Sequence, residues 1–225
     1  MTDRLHRTRL LLGTEKLNKL QNATVMVFGC GAVGSFAIEA LARSGVGNLI
    51  LVDFDTIAES NINRQIFALE STVGRKKIEI ATERIRDINP EIKVTTLDIF
   101  FDETTELSQN PDFVIDAIDT VPSKIALYRW CQKNKIPFIS SMGAARKTDP
   151  TKIKIDKISR TFACPLASCI RKRVRDLKIR DFPVVFSTET ATPHHKTDKE
   201  FGSIVTVTGT FGLVMANWVI KRISG

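Results

Sequence analysis

Short apolar runs and helically spaced apolar positions alternate along the first part of the chain. Residues 24–28 and 48–52 are two runs of mostly apolar side chains, and runs of this length predict buried strands. Between them, apolar residues recur with helical spacing at Val33, Phe36, Ala37, Ala40 and Leu41. This order of strand, helix and strand predicts the start of an α/β fold built on a parallel sheet.

The later pattern continues this alternation. A helix is predicted over 74–89, because its apolar positions share one face and the pattern stops at Pro90. Three strands are predicted at 92–99, 113–119 and 136–140, and another helix at 123–133. At the two ends of the chain, the pattern predicts one or two amphipathic turns at 5–20, and a β-like run at 204–207 before a last helix.

Three glycines separate the first predicted strand from the first predicted helix. Gly29, Gly31 and Gly34 allow the backbone to turn tightly against a phosphate, which the free N–H groups of a helix start also attract. Asp53 follows the second strand, where an acid can accept ribose hydroxyls. A purely structural turn is the alternative, but the strand, the helix and the acid together favour a nucleotide site.

Composition limits the class of protein. The chain has 225 residues, 43% apolar and 26% charged, which suits one globular domain, or one domain with an appendage. No apolar run approaches a membrane span and the first residues lack a signal-peptide segment, so we expect a cytoplasmic protein. The net charge of +8 and the pI near 9.5 favour an anionic partner, which charge alone leaves open among nucleic acid, nucleotide and membrane surface.

The four cysteines show no paired CxxC spacing, so neither a four-cysteine zinc site nor a disulfide framework is expected. Reduced, mostly packed thiols are the simpler interpretation, although Cys164 and Cys169 remain possible nucleophiles. The polar loop near 188–203 contains no cysteine, and a surface role is expected for its His194 and His195.

The segment after Asp53 is too polar for an ordinary connection. It holds Asp55, Asn61, Arg64 and Gln65, and Lys77 follows at the start of the next predicted helix. Guanidinium, amide and ammonium groups are the donors that a polyphosphate tail needs, whereas a hydride-transfer enzyme would need none of them. The segment therefore favours an ATP site, with Arg64, Asn61 and Lys77 as candidate donors to the phosphates, while Lys76 is expected at a solvated helix start.

Two carboxylates end the strand predicted at 113–119. Ligands of open α/β sheets gather at the carboxyl ends of the strands, so Asp119, and less firmly Asp116, are expected to hold Mg²⁺ on the phosphates. The alternative is a helix N-cap, because Pro122 and a helical pattern follow directly.

Basic residues cluster at two further places. Residues 171–180 carry six basic side chains against one acid, and Ile170, Val174 and Leu177 recur with helical spacing so that they can dock on the core. A solvated face is the common alternative, but the basic pI favours contact with RNA phosphates. The RNA-binding candidates are Arg146, Lys147, Arg171, Lys172, Arg173 and Arg175. Near the N-terminus lie Arg4, Arg7 and Arg9. Either they belong to a solvated helix face, or one of them contacts a nucleotide in the same or a neighbouring subunit.

These motifs occur in an order that resembles the adenylating family of ubiquitin-activating enzymes and their bacterial ThiF-, MoeB- and HesA-like relatives. The motifs are Gly29-x-Gly31-x-x-Gly34, Asp53-x-Asp55, Ser60-Asn61-x-Asn63-Arg64-Gln65, Gly74-x-x-Lys77, Ile88-Asn89-Pro90 and Asp116-x-x-Asp119. Later segments, such as Cys164-Pro165-Leu166-Ala167 and 202–212, resemble the subgroup that dehydrates threonylcarbamoyladenosine in tRNA, so the likeness covers nearly the whole chain.

The resemblance implies a Rossmann-like three-layer α/β fold, with a mostly parallel sheet N-terminally and antiparallel strands added C-terminally. It implies one adenylation domain over 1–225, with a helical arm at 1–22, a nucleotide-binding half at 23–145, and a substrate- and RNA-facing half at 146–225 that contains a crossover loop near 188–203.

The resemblance also implies roles for single residues. Arg64, Lys77 and Asp119 are then catalytic, and Asp119 and Asp116 are the metal candidates. ATP is bound by Gly29, Gly31, Gly34, Asp53, Asp55, Asn61, Gln65 and an Arg7 lent across a homodimer.

The implied reaction uses ATP and Mg²⁺, without zinc, to activate the carboxylate of a threonylcarbamoyl group on tRNA. The activated group then cyclises with loss of AMP, which removes one water overall. The alternative is adenylation of the C-terminus of a small sulfur-carrier protein, with a sulfur-carrier or cysteine desulfurase-type protein as partner.

Overall fold

A computed structural model describes residues 3–193 and 200–225 of the chain. Its centre is a seven-stranded sheet in the order β3-β2-β1-β4-β5-β7-β6. In chain order the strands are β1 Thr24–Phe28, β2 Asn48–Val52, β3 Lys93–Leu97, β4 Phe113–Asp116, β5 Phe138–Ser141, β6 Ile153–Lys157 and β7 Pro183–Ser187. Every pairing in the sheet is parallel except that of β6 with β7, so the antiparallel part is one C-terminal edge strand.

Helices cover both faces of this sheet. They are α1 His6–Leu12, α2 Thr14–Asn22, α3 Gly34–Ser44, α4 Lys77–Ile88, α5 Val121–Lys133, α6 Pro165–Asp176 and α7 Val205–Ser224, with single 3-10 turns at Glu59–Asn61, Glu70–Thr72, Pro150–Lys152 and Ile158–Arg160. Side chains of α3, α4 and α7 form one core with Val25 and Val27, and those of α5 and α6 form another with Met26 and Phe28. Because successive strand residues point to opposite faces, β1 contributes to both cores, and the expected three-layer arrangement is confirmed.

The first two predicted strands are confirmed with the same bounds, since β1 and β2 span 24–28 and 48–52. The helix predicted over 74–89 is shorter, because Gly74 has a left-handed φ of 87° and α4 begins only at Lys77. The strand predicted over 113–119 ends at Asp116, where the chain leaves the sheet and turns toward α5.

Two predictions at the C-terminal part were wrong. Residues 205–207 belong to α7 rather than to a β-like run, because Val207, Thr208 and Phe211 pack on the core with helical spacing. Leu177 does not dock on the core: it follows the last residue of α6 and is 48% exposed, whereas Ile170 and Val174 are buried as expected.

The longest helix lies directly behind the glycine loop. A Cβ added at Gly212 of α7 would lie 2.2 Å from the carbonyl oxygen of Val33, so only glycine allows this approach of α7 to the start of α3. In the described part of the chain every helix is too short or too polar to cross a membrane. Residues 194–199 of the predicted crossover loop, with His194 and His195, lie outside the described residues.

Candidate functional site

The glycine loop joins the end of β1 to the start of α3 through backbone contacts that exclude side chains. Gly29 has a left-handed φ of 89°, and a Cβ there would lie 2.7 Å from the carbonyl oxygen of Ala117. A Cβ on Gly34 would lie 1.7 Å from the carbonyl oxygen of Gly29. The ends of β1 and β4 and the start of α3 therefore meet at one point.

A cavity of about 900 Å³ opens at the carboxyl ends of the strands, above this loop. Most of the residues predicted for nucleotide binding line it, namely Gly29, Gly31, Asp53, Asp55, Asn61, Arg64, Gln65, Lys77 and Asp119. Gly34 lies behind the loop and shapes it without lining the cavity. Ligands of open α/β sheets bind at this edge, so the structure brings these residues together where a nucleotide is expected.

Asp53 at the end of β2 is held by two backbone bonds. Its Oδ2 accepts the N–H of Cys30 at 2.6 Å and its Oδ1 accepts the N–H of Asp55 at 2.8 Å. Burial raises the pKa of this carboxyl, although Lys77 and the two N–H bonds act in the opposite direction. Each oxygen keeps a further lone pair, so Asp53 can still accept hydroxyl groups from a ligand in the cavity.

Two adjacent lysines have different surroundings. The ammonium of Lys77 is buried and lies 2.6 Å from Asp55 Oδ2, facing the cavity. Lys76 donates instead to Asp98 Oδ1 at 2.9 Å and to the carbonyl of Phe54 at 2.8 Å, and it does not line the cavity. Only one of the two charges is thus available to an anion inside.

Arg64 is positioned by the polar segment that carries it. Its Nη1 donates to the carbonyl of Ser60 at 2.6 Å and to Asn63 Oδ1 at 2.8 Å. Asn63 in turn donates from Nδ2 to the carbonyl of Ser203 at 3.2 Å, which ties this segment to the residues before α7. Arg64 lines the cavity together with Lys77, and its guanidinium has further N–H groups beyond those that bond Ser60 and Asn63.

The structure separates the two acids that were predicted together as metal ligands. Asp116 is fully buried and does not line the cavity: its Oδ2 accepts bonds from Lys124 Nζ at 2.8 Å and Ser140 Oγ at 2.6 Å. Its Oδ1 accepts the N–H of Ile118 at 3.1 Å, which holds the turn after β4. The hydrogen bonds of Asp116 thus stabilise the fold, and of the two acids only Asp119 is accessible to a ligand in the cavity.

The carboxylate of Asp119 lines the cavity and makes no hydrogen bond or ion pair with the described residues. Neither acid caps α5, because the N-cap residue is Thr120. Within 3–193 and 200–225, no three acidic, histidine or cysteine side chains are grouped as a metal site. A magnesium ion at Asp119 would therefore need phosphate oxygens and water as its other ligands, which is how proteins commonly hold it.

Sequence reasoning missed two features of the cavity. Phe54 and Phe100 line it and pack edge to face with ring centroids 5.1 Å apart, and both are about half exposed. Ser123 in the first turn of α5 has a buried hydroxyl without a partner among the described residues. An aromatic residue directly after the ribose acid was a usable signal for Phe54, whereas nothing in the pattern marked Ser123.

The residues predicted for RNA contact fall into different surroundings. Lys172, Arg173 and Arg175 are exposed on α6, and Arg171 is half buried with its Nη1 donating to the carbonyl of Thr161 at 2.7 Å. Arg146 lines the cavity.

Lys147 also lines the cavity but is buried, and its ammonium donates to the carbonyls of Ala163, Ser187 and Glu189, so it is not available to RNA at the outer surface as predicted. Burial lowers the pKa of Lys147.

Three other candidates differ in their access to the cavity. Cys164 lines it as the N-cap of α6, where its Sγ accepts the N–H of Ala167 at 3.5 Å. Cys169 is exposed and lies away from the cavity. Arg7 on α1 is exposed and does not reach the cavity of its own chain.

Comparison with known proteins identifies relatives over the whole chain. The model of the ThiF family matches residues 4–225. The tRNA threonylcarbamoyladenosine dehydratase of Bacillus subtilis is 48% identical over 193 residues, which cover 84% of this chain and 76% of the relative. The enzyme of the same name from Escherichia coli is 38% identical and covers 96% of this chain and 91% of its own length.

Solved structures agree with these relatives. Escherichia coli TcdA in complex with ATP superimposes with a TM-score of 0.91 at 38% identity, covering 98% of this chain and 93% of that chain. Escherichia coli MccB with ATP has a TM-score of 0.69 at 22% identity, which shows a shared fold alone.

The buried pair of Lys124 and Asp116 yields a stability prediction. Lys124→Met leaves a buried carboxylate without its cation, so we expect a loss of about 3–5 kcal/mol in the free energy of unfolding. Adding Asp116→Asn removes that charge and should recover part of the loss. Urea denaturation measures both effects, with Lys133→Met on the exposed face of α5 as the control, expected within about 0.5 kcal/mol of the parent. A Lys124→Met protein as stable as this control would contradict the interpretation.

Proposed function

The chain belongs to the ThiF family, and we propose that it uses ATP to dehydrate threonylcarbamoyladenosine in tRNA. The observation that carries this proposal is one cavity in which Asp53, Arg64, Lys77 and Asp119 surround the glycine loop. These groups suit a triphosphate better than a redox dinucleotide, because they place two cations and a second carboxylate beyond the ribose acid. The relatives named as dehydratases supply the acyl substrate of the proposal.

In this proposal, ATP lies across the glycine loop at the ends of β1 and β2. The ribose hydroxyls donate to Asp53, and the adenine ring packs near the aromatic pair of Phe54 and Phe100. Gly29, Gly31 and Gly34 let the phosphates approach the start of α3, with Asn61 and Gln65 on the adjoining wall. The hydroxyl of Ser123, which has no partner among the described residues, also fits a polar ligand of this kind.

The first step joins the substrate carboxylate to the α-phosphate and releases pyrophosphate. Negative charge develops on the phosphate oxygens, and Arg64 and Lys77 lie where they can stabilise that charge and hold the reacting groups in line. Lys77 can retain Asp55 and still donate to phosphate, because an ammonium has three N–H groups. We assign Mg²⁺ to Asp119, where it would neutralise phosphate charge.

The second step needs no protein nucleophile. A nitrogen of the threonylcarbamoyl group attacks the acyl carbon of the mixed anhydride, the bond to AMP breaks, and a ring closes. One carboxylate oxygen leaves with AMP and the nitrogen loses its proton, so the nucleoside loses one water overall. Confinement in the cavity supplies a high effective concentration for this ring closure. Cys164 then acts as a helix cap rather than as a thioester carrier.

The proposal also covers the oligomeric state and the roles of the two halves of the chain. We propose a homodimer in which Arg7 of one copy reaches the phosphates of the other, because Arg7 is exposed and remote from its own cavity. Its helix α1 also exposes Leu10 and Leu11, at 69% and 83%, which a second copy would cover. Residues 23–145 then hold ATP, residues 146–225 face the RNA, and the reaction takes place in the cytoplasm.

The exposed cations of α6 are the proposed contact for tRNA phosphates. Lys172, Arg173 and Arg175 lie on a helix whose opposite face is buried through Ile170 and Val174, so their charges face outward. Such contacts bind the phosphate backbone without reading bases. They suit a reaction whose target would be selected inside the cavity.

The reaction itself provides the first test. The protein is incubated with ATP, Mg²⁺ and tRNA that carries threonylcarbamoyladenosine. The tRNA is then digested, and the masses of its nucleosides are measured by mass spectrometry. We expect the modified nucleoside to lose one water while AMP accumulates, and unmodified tRNA to yield no AMP. ATP consumption that appears only with a small carrier protein ending in Gly-Gly would support the sulfur-carrier alternative and contradict the proposal.

Adjacent lysines provide a matched test of the phosphate site. Lys77→Ala removes a donor from the cavity, and the loss of one such donor costs about 100-fold or more in the rate of AMP formation. Lys76→Ala removes an equal charge one residue away, outside the cavity, and should leave this rate nearly unchanged. The comparison is made by AMP release at saturating tRNA. Equal losses in the two variants would argue against a specific role for Lys77.

Charge reversal tests the basic face of α6. Changing Lys172, Arg173 and Arg175 to Glu should weaken tRNA binding. The slope of the logarithm of the affinity against the logarithm of the salt concentration should fall by about one for each cation that contacts an RNA phosphate. The control reverses Lys16, Arg86 and Lys93, which are exposed on other elements. Filter binding over a series of salt concentrations measures both. An unchanged slope in the α6 variant would exclude this surface.

A further inference from the structure

The cavity is wider than the ATP site proposed for it. The glycine loop and Asp53 lie at the ends of β1 and β2, but the cavity wall continues through 141–147 and 164–166 to Phe201 and Ser203. In the sheet, β4 lies between β1 and β5, so the segment 141–147, which follows β5, lies across β4 from the glycine loop. The cavity therefore has a second end, toward β5 and β7. The proposed ATP site does not occupy this second end.

An arginine and an aromatic ring meet at this second end. The guanidinium carbon of Arg146 lies 5.7 Å from the centroid of the Phe201 ring, and both residues line the cavity. Phe201 is 60% exposed. Aromatic rings and arginine guanidinium groups are the side chains on which proteins stack unpaired nucleobases.

Arg146 is held firmly in this position. Its backbone N–H donates to the carbonyl of Gly202 at 2.8 Å, and its own carbonyl accepts the N–H of Thr192 at 2.8 Å. Its Nε donates to the carbonyl of Thr192 at 2.7 Å. The residue has a left-handed φ of 62°, which is unfavourable for a side chain other than glycine, and these bonds maintain it. The guanidinium is thus fixed before any ligand arrives.

We propose that Phe201 and Arg146 together form the subsite for the base of the target nucleoside in tRNA, with the base stacked on the exposed side chain of Phe201. This inference rests on the proposed function, whose substrate it locates. A nucleoside bound here directs its threonylcarbamoyl group toward the end of β4, where Asp119 and Ser123 face the cavity. The carboxylate then meets the α-phosphate between the two ends of the cavity.

The chemistry of the subsite favours a nucleobase over the tail of a carrier protein. Stacking on an aromatic ring needs a flat π-system, which every base has and a Gly-Gly tail lacks. The guanidinium also supplies a positive charge near the phosphates that flank an extruded nucleoside. Phe201 is therefore a substrate-binding residue for RNA and has no expected contact with ATP.

Kinetics of Phe201 variants test the proposal. Phe201→Ala should raise the KM for modified tRNA on the order of tenfold, the loss typical of one base stacked on an aromatic side chain. The Kd for ATP, measured by calorimetry without tRNA, should not change. Phe201→Trp should restore the KM, whereas Phe201→Leu, which keeps apolar volume without a ring, should resemble the alanine variant. The control is Phe162→Ala, because Phe162 is 55% exposed and lies outside the cavity.

The outcomes separate this inference from the proposed function. If the parent protein dehydrates tRNA and Phe201→Ala does so with the KM of the Phe162→Ala control, the subsite is wrong and the function stands. An equal rise in the ATP Kd of Phe201→Ala would also overturn the subsite, because it would indicate a general disturbance of the cavity. If the parent protein leaves modified tRNA unchanged while it adenylates a carrier tail, both proposals fail together.

Discussion

The candidate site depends on a backbone contact that only glycine permits. A Cβ on Gly34 would lie only 1.7 Å from the carbonyl oxygen of Gly29, so the start of α3 touches the end of β1 directly. The turn after β4 closes on the same point, since Gly29 also lies against Ala117. Behind it, Gly212 brings α7 against Val33. These close approaches fix the floor of the cavity, and the polar residues around it are placed relative to that floor.

Two lysine–aspartate pairs near this floor differ in what surrounds them. Lys124 and Asp116 are fully buried, and each has further partners that satisfy its remaining hydrogen-bonding groups. Such a pair adds little net stability over apolar residues, but it makes one arrangement of the turn after β4 far better than others. Lys77 pairs with an Asp55 that is 46% exposed, at the cavity wall, so its charge remains accessible to an anion. Burial thus separates a structural ion pair from one that can bind a ligand.

The sequence was informative where a residue type is required by backbone geometry or by periodicity. Gly29, Gly34 and the apolar run of β1 predicted the end of the cavity that we propose for ATP, because few other residues satisfy those constraints. Charge was less informative. Lys147 and Asp116 are charged residues of the kind that bind ligands, but packing between distant parts of the chain buries both of them. Single aromatic residues such as Phe100 and Phe201 carry no periodic signal, and their place at the cavity follows only from the fold. The prediction of a β-like run at 204–207 was wrong because Val207 packs into the core as part of α7, and this packing outweighs the preference of β-branched residues for strands.

The central claim is that the substrate carboxylate attacks the α-phosphate of ATP inside this cavity. Oxygen-18 in the carboxylate of the threonylcarbamoyl group of tRNA tests it directly, with the released AMP and the dehydrated nucleoside both analysed by mass spectrometry. The account predicts that one labelled oxygen passes to AMP and that one is lost from the nucleoside. AMP without label, formed while the nucleoside still loses water, would contradict adenylation of the carboxylate.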